Sequence, residues 1–272
     1  MENWDLKMSD LVKLKVENHI ATVTLNRANK KNALSREMFD AISQVGENLK
    51  KNQLVRVIIL TGAGSDFCSG LDTSTFTQWA SNFEKVRNDL TMRPFGENAN
   101  WFQKPCYVWQ EIEVPVIAAI KGVAFGGGIQ LALAADFRIA APNSKFSIME
   151  SKWGIIPDLG ITQNLPKLTR ADIAKELIMT GRIFNGQEAF NLGLVTMIDK
   201  DPLASAEDFA NKLIEKSPDV LKGAKKLIDE SWVAPLGEGL TMESDIQSRI
   251  MGYENNLEAV MATVQKRPAK FK

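Results

Sequence analysis

The 272-residue chain carries 33 basic and 33 acidic side chains, so its formal charge is zero and no global field draws it to nucleic acid or an anionic membrane. A composition of 44% hydrophobic and 24% charged residues suits a soluble globular protein with one large core and room for a small appendage. Two cysteines without zinc spacing and a single histidine exclude a disulfide framework and remove the usual metal donors, so no metal is expected.

The polar start, Met1-Glu2-Asn3-Trp4-Asp5-Leu6-Lys7, lacks the apolar stretch of a signal peptide and the Arg/Ser-rich character of a transit peptide. No apolar run is long enough to span a membrane, and Ala269-Lys270-Phe271-Lys272 is not a peroxisomal address, so a cytoplasmic location is expected. Residues 12–16 and 20–25 read as strands joined by the tight turn Glu17-Asn18-His19, which makes His19 a turn residue. A helix is predicted from Ser35 as N-cap, with Met38, Ile42, Val45 and Leu49 on one face. The apolar run 55–60 reads as a buried strand. Between Thr73 and Glu113 the pattern breaks into a long loop holding Trp79, Phe95, Trp101 and Trp109, either a functional cover or aromatic packing. Further strands are predicted at 116–120, 136–140, 146–149 and 194–198. Without a fixed period, these imply stacked β-β-α turns rather than a repeat array. From Ala204 onward the pattern is amphipathic helix, with Ala206, Phe209, Leu213 and Ile214 on one helix and Val220, Ala224 and Ile228 on the next.

Two glycine-bearing segments carry the chemistry. Phe67-Cys68-Ser69-Gly70-Leu71-Asp72 follows the 55–60 strand. Gly126-Gly127-Gly128-Ile129-Gln130 follows the 116–120 strand and opens the helix-like stretch 131–135. Each places approachable backbone N–H groups after a strand, and the second adds the positive end of a helix dipole. Two donors from separate loops are what a thioester oxygen needs when its carbonyl becomes an enolate. A plain turn into a helix would also account for the triple glycine. A dinucleotide site is excluded, because the glycine after Gly62-Ala63-Gly64 comes only at Gly70 and breaks the required spacing.

Five segments, in order, resemble the crotonase family, also called the enoyl-CoA hydratase/isomerase superfamily. They are Asn26-Arg27 with Asn32-Ala33-Leu34; the 67–72 segment; Ala118-Ala119-Ile120-Lys121-Gly122-Val123-Ala124-Phe125-Gly126-Gly127-Gly128; Phe146-Ser147-Ile148-Met149-Glu150 with Gly154-Ile155-Ile156-Pro157-Asp158; and Gln265-Lys266-Arg267 with Phe271. Ala28 stands where the family usually has proline. The resemblance implies an α/β fold, a crotonase (ClpP/crotonase-like) spiral of β-β-α units with a C-terminal helical subdomain. Residues 1–200 would form the spiral core with the acyl-CoA site, and 201–272 a helical subdomain that assembles a homotrimer or a dimer of trimers. The implied substrate is an acyl-CoA thioester. No cofactor is expected beyond coenzyme A as part of that substrate, and neither nucleic acid nor membrane is an expected partner.

The same resemblance assigns roles. The N–H groups of Leu71 and Gly127 would hold the enolate oxygen. Glu150 occupies the place of the principal catalytic glutamate, predicted at the end of a short strand among Phe146, Ile148, Met149 and Trp153, an apolar setting that raises a carboxyl pKa. A solvent-exposed glutamate after a strand is the alternative. Efficient hydratases carry a second glutamate where this chain has Gln130, whose amide can hold a water but cannot take its proton. Asp158 matches an aspartate that partners the glutamate in dienoyl-CoA isomerases, although that branch also has an aspartate at position 130. An aspartate at position 158 is a nucleophile in the dehalogenase branch, which lacks a counterpart of Glu150, and Asp158 could instead cap a helix. Lys30, Lys31, Ser69, Gly70, Asp72 and Gly126 fall where the family contacts coenzyme A, and Lys266 and Arg267 could reach a neighbour's coenzyme A. Cys68 is expected to pack rather than react, with no histidine near it in sequence. The activity implied is double-bond migration in an enoyl- or dienoyl-CoA; the alternatives are hydration by Glu150 alone and a non-catalytic acyl-CoA-binding or scaffold protein.

Overall fold

The computed structural model describes residues 9–272, so the polar segment 1–7 lies outside the described residues. Strands β1 (Val12–Glu17) and β2 (Ile20–Leu25) form the predicted antiparallel hairpin. Its two-residue turn places Asn18 and His19 at positive φ, as a primed turn requires, and His19 Nδ1 lies 2.8 Å from the Leu54 carbonyl oxygen. Helix α1 (Arg36–Lys50) starts where its cap predicts: Ser35 Oγ accepts from the Met38 N–H, and Met38, Ile42, Val45 and Leu49 are all buried. Strand β3 (Val57–Gly62) begins two residues later than its apolar run, because the amides of Arg56 and Val57 both turn to the His19 carbonyl.

The segment read as a long loop is helical over much of its length. Asp72 caps α2 (Thr73–Ala80), Asn82 caps α3 (Phe83–Thr91), and α4 (Lys104–Tyr107) follows. These helices are short and carry no sustained apolar period, so their caps were the readable signal. Its aromatic residues pack: Trp101 stacks on Phe39 at 5.1 Å, Trp79 meets Phe102 edge-on at 5.1 Å, and Trp109 is fully buried. Phe95, in the irregular stretch between α3 and α4, is exposed.

Next come β4 (Val116–Ile120), β5 (Val123–Phe125), α5 (Gly127–Leu133), β6 (Phe137–Ala140) and β7 (Lys145–Ser147). They are followed by α6 (Leu165–Leu168), α7 (Ala171–Thr180), β8 (Phe184–Asn185), α8 (Gly186–Asn191) and β9 (Met197–Ile198). Strands β5 and β8, of three and two residues, are too short to show alternation in sequence. Strand β7 ends at Ser147 rather than 149, and β9 is confined to two residues of the predicted 194–198. The main sheet runs β1-β2-β3-β4-β6-β9, parallel from β2 onward, and β5-β7-β8 form a second, smaller sheet. The turns β4-β5-α5 and β6-β7 each add one strand to each sheet, whereas β1 and β2 both lie in the main sheet, and the stacked turns make the expected spiral.

The parallel strands are buried on both faces, as their unbroken apolar runs require. Ile58, Leu60, Ala118 and Ile120 point into the main core with α1 and α5. The alternate residues Val57, Ile59, Ile117, Ala119 and Ile139 meet Ala206 and Ala210 of α9 (Pro202–Ile214), where Phe209 also sits edge-on to Phe137. Full burial of each isoleucine contributes about 2 kcal/mol. Helix α9 therefore completes the sheet's cover. Beyond it, α10 (Pro218–Ser231), α11 (Leu236–Ile250) and α12 (Glu254–Val264) extend from the spiral and leave Ile228, Leu236, Leu240, Leu257 and Val264 exposed. Lys225 ties α10 back to the core through Asp136 Oδ2 at 2.8 Å and the carbonyls of Trp109 and Val114. Among the described residues, no helix is long and apolar enough to cross a membrane.

Candidate active site

The two glycine segments are pressed against each other. Cys68 N–H donates to the Val123 carbonyl and Phe125 N–H to the Cys68 carbonyl, each at 3.0 Å, so the 67–71 loop runs beside β5. A Cβ on Gly70, whose φ is 87°, would lie 2.5 Å from the Phe125 oxygen and 3.5 Å from the Gly127 nitrogen. A Cβ on Gly128 would lie 2.3 Å from the Cys68 oxygen. Only glycine allows this approach. The other side of the 67–71 loop pairs with Leu34, whose N–H donates to Gly70 and whose carbonyl accepts from Asp72. Buried Asn32 latches the loop's base, donating to the carbonyls of Ala63 and Asp66 and accepting from Arg27 N–H.

Two amides remain. Within the described residues, neither the Leu71 N–H nor the Gly127 N–H donates to any acceptor. Gly127 is the first residue of α5, which explains why its N–H has no intrahelical partner.

Glu150 lies beside Gly126, the residue before Gly127, with its Oε1 3.5 Å from the position of a Cβ on Gly126. It does not end a strand; it opens a 3₁₀ turn, Glu150–Trp153, after β7 has finished. It is 6% exposed, so the solvent-exposed alternative fails. Of the expected apolar neighbours, Phe146 and Ile148 are buried, but Trp153 is half exposed. Oε1 accepts from Gln130 Nε2 at 2.6 Å, whereas Oε2 is buried with no hydrogen-bond partner among the described residues. Burial pushes the Glu150 pKa up, and the charge of Asp158 adds to the shift. Burial also raises Asp158. Asp158 does not cap a helix: the next turn, Ile161–Gln163, has Gly160 at its cap position. The structure thus brings Leu71, Gly126, Gly127, Gln130 and Glu150 together, with Asp158 close enough to Glu150 to influence its charge.

The thiols near the site are inert. Burial drives Cys68 up to about 12, and its Sγ donates to the Asn32 carbonyl. Burial likewise raises Cys106 of α4 far above the ordinary thiol value, with Cys68, Asp158 and Glu150 adding to the shift.

At the rim, Lys30 and Lys31 are exposed on a 3₁₀ turn, and the Lys31 carbonyl accepts from Ser69 N–H at 3.0 Å. The backbone of this turn therefore borders the glycine loop, and Lys31 Nζ lies 4.0 Å from Asp66 Oδ2. The Asp72 carboxylate is fully engaged in anchoring that loop. It accepts from Ser74 N–H and Oγ and pairs with Arg27, interactions that hold its pKa at about 2. Arg267 is paired with Glu258 of α12. Sequence reasoning missed the anchoring done by Arg27 and Asn32, although both stand in the quoted Asn-Arg and Asn-Ala-Leu segments. It also missed that Gln130 Oε1 accepts from Leu159 N–H at 2.9 Å, a contact made across 29 residues with no local signal.

The profile of one protein family, enoyl-CoA hydratase/isomerase, matches residues 15–272. Mitochondrial methylglutaconyl-CoA hydratase of Mus musculus is 32% identical over 268 residues, covering 93% of this chain and 79% of that protein. The peroxisomal Delta(3,5)-Delta(2,4)-dienoyl-CoA isomerase of Arabidopsis thaliana is 32% identical over 272 residues, covering 97% of each. The crystal structure of an enoyl-CoA hydratase from Bacillus anthracis superposes with a TM-score of 0.87 at 32% identity, covering 96% of this chain and 99% of that one.

Proposed function

The chain belongs to the enoyl-CoA hydratase/isomerase family, and from that premise we propose that it shifts a carbon–carbon double bond in an enoyl- or dienoyl-CoA. The observation that carries this reading is the buried, partnerless Oε2 of Glu150, set beside two unused amides, with an amide rather than a second carboxylate at position 130. The thioester oxygen accepts from Leu71 N–H and Gly127 N–H, and each donor lowers the barrier by about 3 kcal/mol as negative charge develops there. Glu150 removes a proton from carbon in the acyl chain, and the electron pair moves through the conjugated system onto that oxygen. Reprotonation at another carbon, by Glu150 or by Asp158 for a longer conjugated system, completes the migration. One proton leaves and one returns, so no co-reactant is needed. Raised pKa values suit both carboxyls to cycling between base and acid.

Coenzyme A enters with the substrate. In this reading Lys30, Lys31, Ser69, Gly70 and Gly126 line its approach, and Asp72 holds the loop. The exposed apolar residues of α10–α12 support assembly as a homotrimer or a dimer of trimers. A second reading, hydration with Glu150 alone, is supported by the hydratase names of the mouse relative and the Bacillus anthracis structure.

The test is a panel of enoyl- and dienoyl-CoA thioesters followed by ultraviolet absorbance, with water addition scored separately from bond migration. Bond migration should be the faster process. Hydration far faster than migration on every substrate would replace this reading by the second, and binding without turnover would leave a non-catalytic acyl-CoA-binding protein.

A further inference from the structure

Position 130 has a second property, set by a backbone donor. Leu159 N–H can only donate, so the Gln130 atom facing it at 2.9 Å must be the carbonyl oxygen. That settles the orientation of the amide, and its Nε2 must then face Glu150 Oε1, 2.6 Å away. A nitrogen donor at that distance keeps Oε1 an acceptor. We propose that Gln130 is a positioning residue that reserves Oε1 of Glu150 as a permanent acceptor, so that Oε2 alone handles the proton. The same side chain ties the base to the backbone of Leu159, and so holds Glu150 and the adjoining Asp158 at a set separation.

Gln130 is 2% exposed and sits inside α5, the helix whose first N–H is Gly127. One rigid element therefore carries both an oxyanion donor and the group that aims the base. The titratable groups facing the pair are Asp158, Cys106 of α4 and Cys68 of the glycine loop. None of them hydrogen-bonds to Gln130. The donor opposes the effect of burial on Glu150, so its removal should raise the Glu150 midpoint further.

This inference rests on Glu150 being the base, and its test separates the two. Gln130→Met keeps the side chain's length and deletes both hydrogen bonds. The acid limb of kcat/KM should move up by about one pH unit. At neutral pH kcat should fall about tenfold with KM nearly unchanged, and Tm should drop by a few degrees, because Leu159 N–H and Glu150 Oε1 each lose a buried partner. Gln130→Glu should move the limb in the same direction, and further, because two carboxyls then share one position. Independently of turnover, the 13C carboxyl resonance of Glu150 and the side-chain amide resonances of Gln130 should titrate with one midpoint in the unsubstituted protein. A folded Gln130→Met variant with an unmoved acid limb would overturn the proposal. So would Gln130 amide resonances indifferent to Glu150 titration, a measurement that decides the matter if Gln130→Met does not fold. Absence of turnover on every thioester would remove the proposed function while the carboxyl titration still tested the role of Gln130.

Discussion

Asp72 and Glu150 are both mostly buried carboxylates within the same cluster of loops, and their surroundings push them in opposite directions. Asp72 accepts from Ser74 twice and faces Arg27, so every favourable interaction stabilises its charge, and its pKa falls to about 2. At Glu150 burial is the main cause of a raised pKa, the Asp158 charge adds to it, and the one donor on Oε1 opposes it without reversing it. The first arrangement is an anchor, and the second suits the base of the proposed reaction. Their exposure is similar, but burial dominates at Glu150, whereas at Asp72 the donors and the Arg27 charge outweigh it.

The largest effect is expected at Glu150. Glu150→Gln should lower turnover by about 10³-fold, since the base is gone. It should leave Tm equal or higher above pH 4.5, because a buried charge is removed with it. The sign follows from linkage: a raised folded-state pKa favours the protein below the ordinary glutamate value and penalises it as pH rises through the folded value. Parallel kinetics and thermal melts check both halves.

Leu71→Pro deletes one of the two unused amide donors on the opposing loop and should reduce kcat by about 10²-fold, with melting and CoA binding as controls. Full activity in the folded variant would remove the two-donor account.

At the anchor, Asp72→Asn should affect stability rather than chemistry. A shift from the ordinary 3.8 to about 2 corresponds to about 2 kcal/mol. That stabilisation is fully present above pH 3.8 and is lost as pH falls toward about 2. Urea unfolding of both proteins at neutral pH should show the difference, and it should shrink in acid.

The smallest effect is expected for Asp158→Asn: a loss of about tenfold or less on a dienoyl-CoA, and less still on hydration of a short 2-enoyl-CoA. Equal silence on both would leave Glu150 as the sole proton carrier.

Much of the fold was legible because its signals are local. The hairpin, the Ser35 cap, the continuous apolar runs of β3 and β4 and the amphipathic face of α9 all announce themselves within a few residues. Short β5 and β8 did not, nor did α2 and α3, whose caps Asp72 and Asn82 stand in a stretch dominated by scattered aromatics. The site divides in the same way. Gly70, the triple glycine and Glu150 were visible as motifs, since close backbone approach demands glycine. The engagement of Asp72 with Arg27 across 45 residues was not, and it gives Asp72 an anchoring role in the loop that no local signal announces. The hydrogen bond from Leu159 to Gln130 was equally invisible, because no sequence period links a helix side chain to a distant loop amide.

In the proposed reaction Glu150 makes and unmakes an enolate held by Leu71 and Gly127. Hydrogen–deuterium exchange into an enoyl-CoA substrate in D2O, followed by proton NMR, observes that step without reference to the final product. The unsubstituted protein should introduce deuterium at the acidic carbon of the acyl chain, and Glu150→Gln should not, while both bind the thioester equally. Exchange at the same rate in Glu150→Gln, or neither exchange nor bond migration in the unsubstituted protein despite binding, would contradict the account.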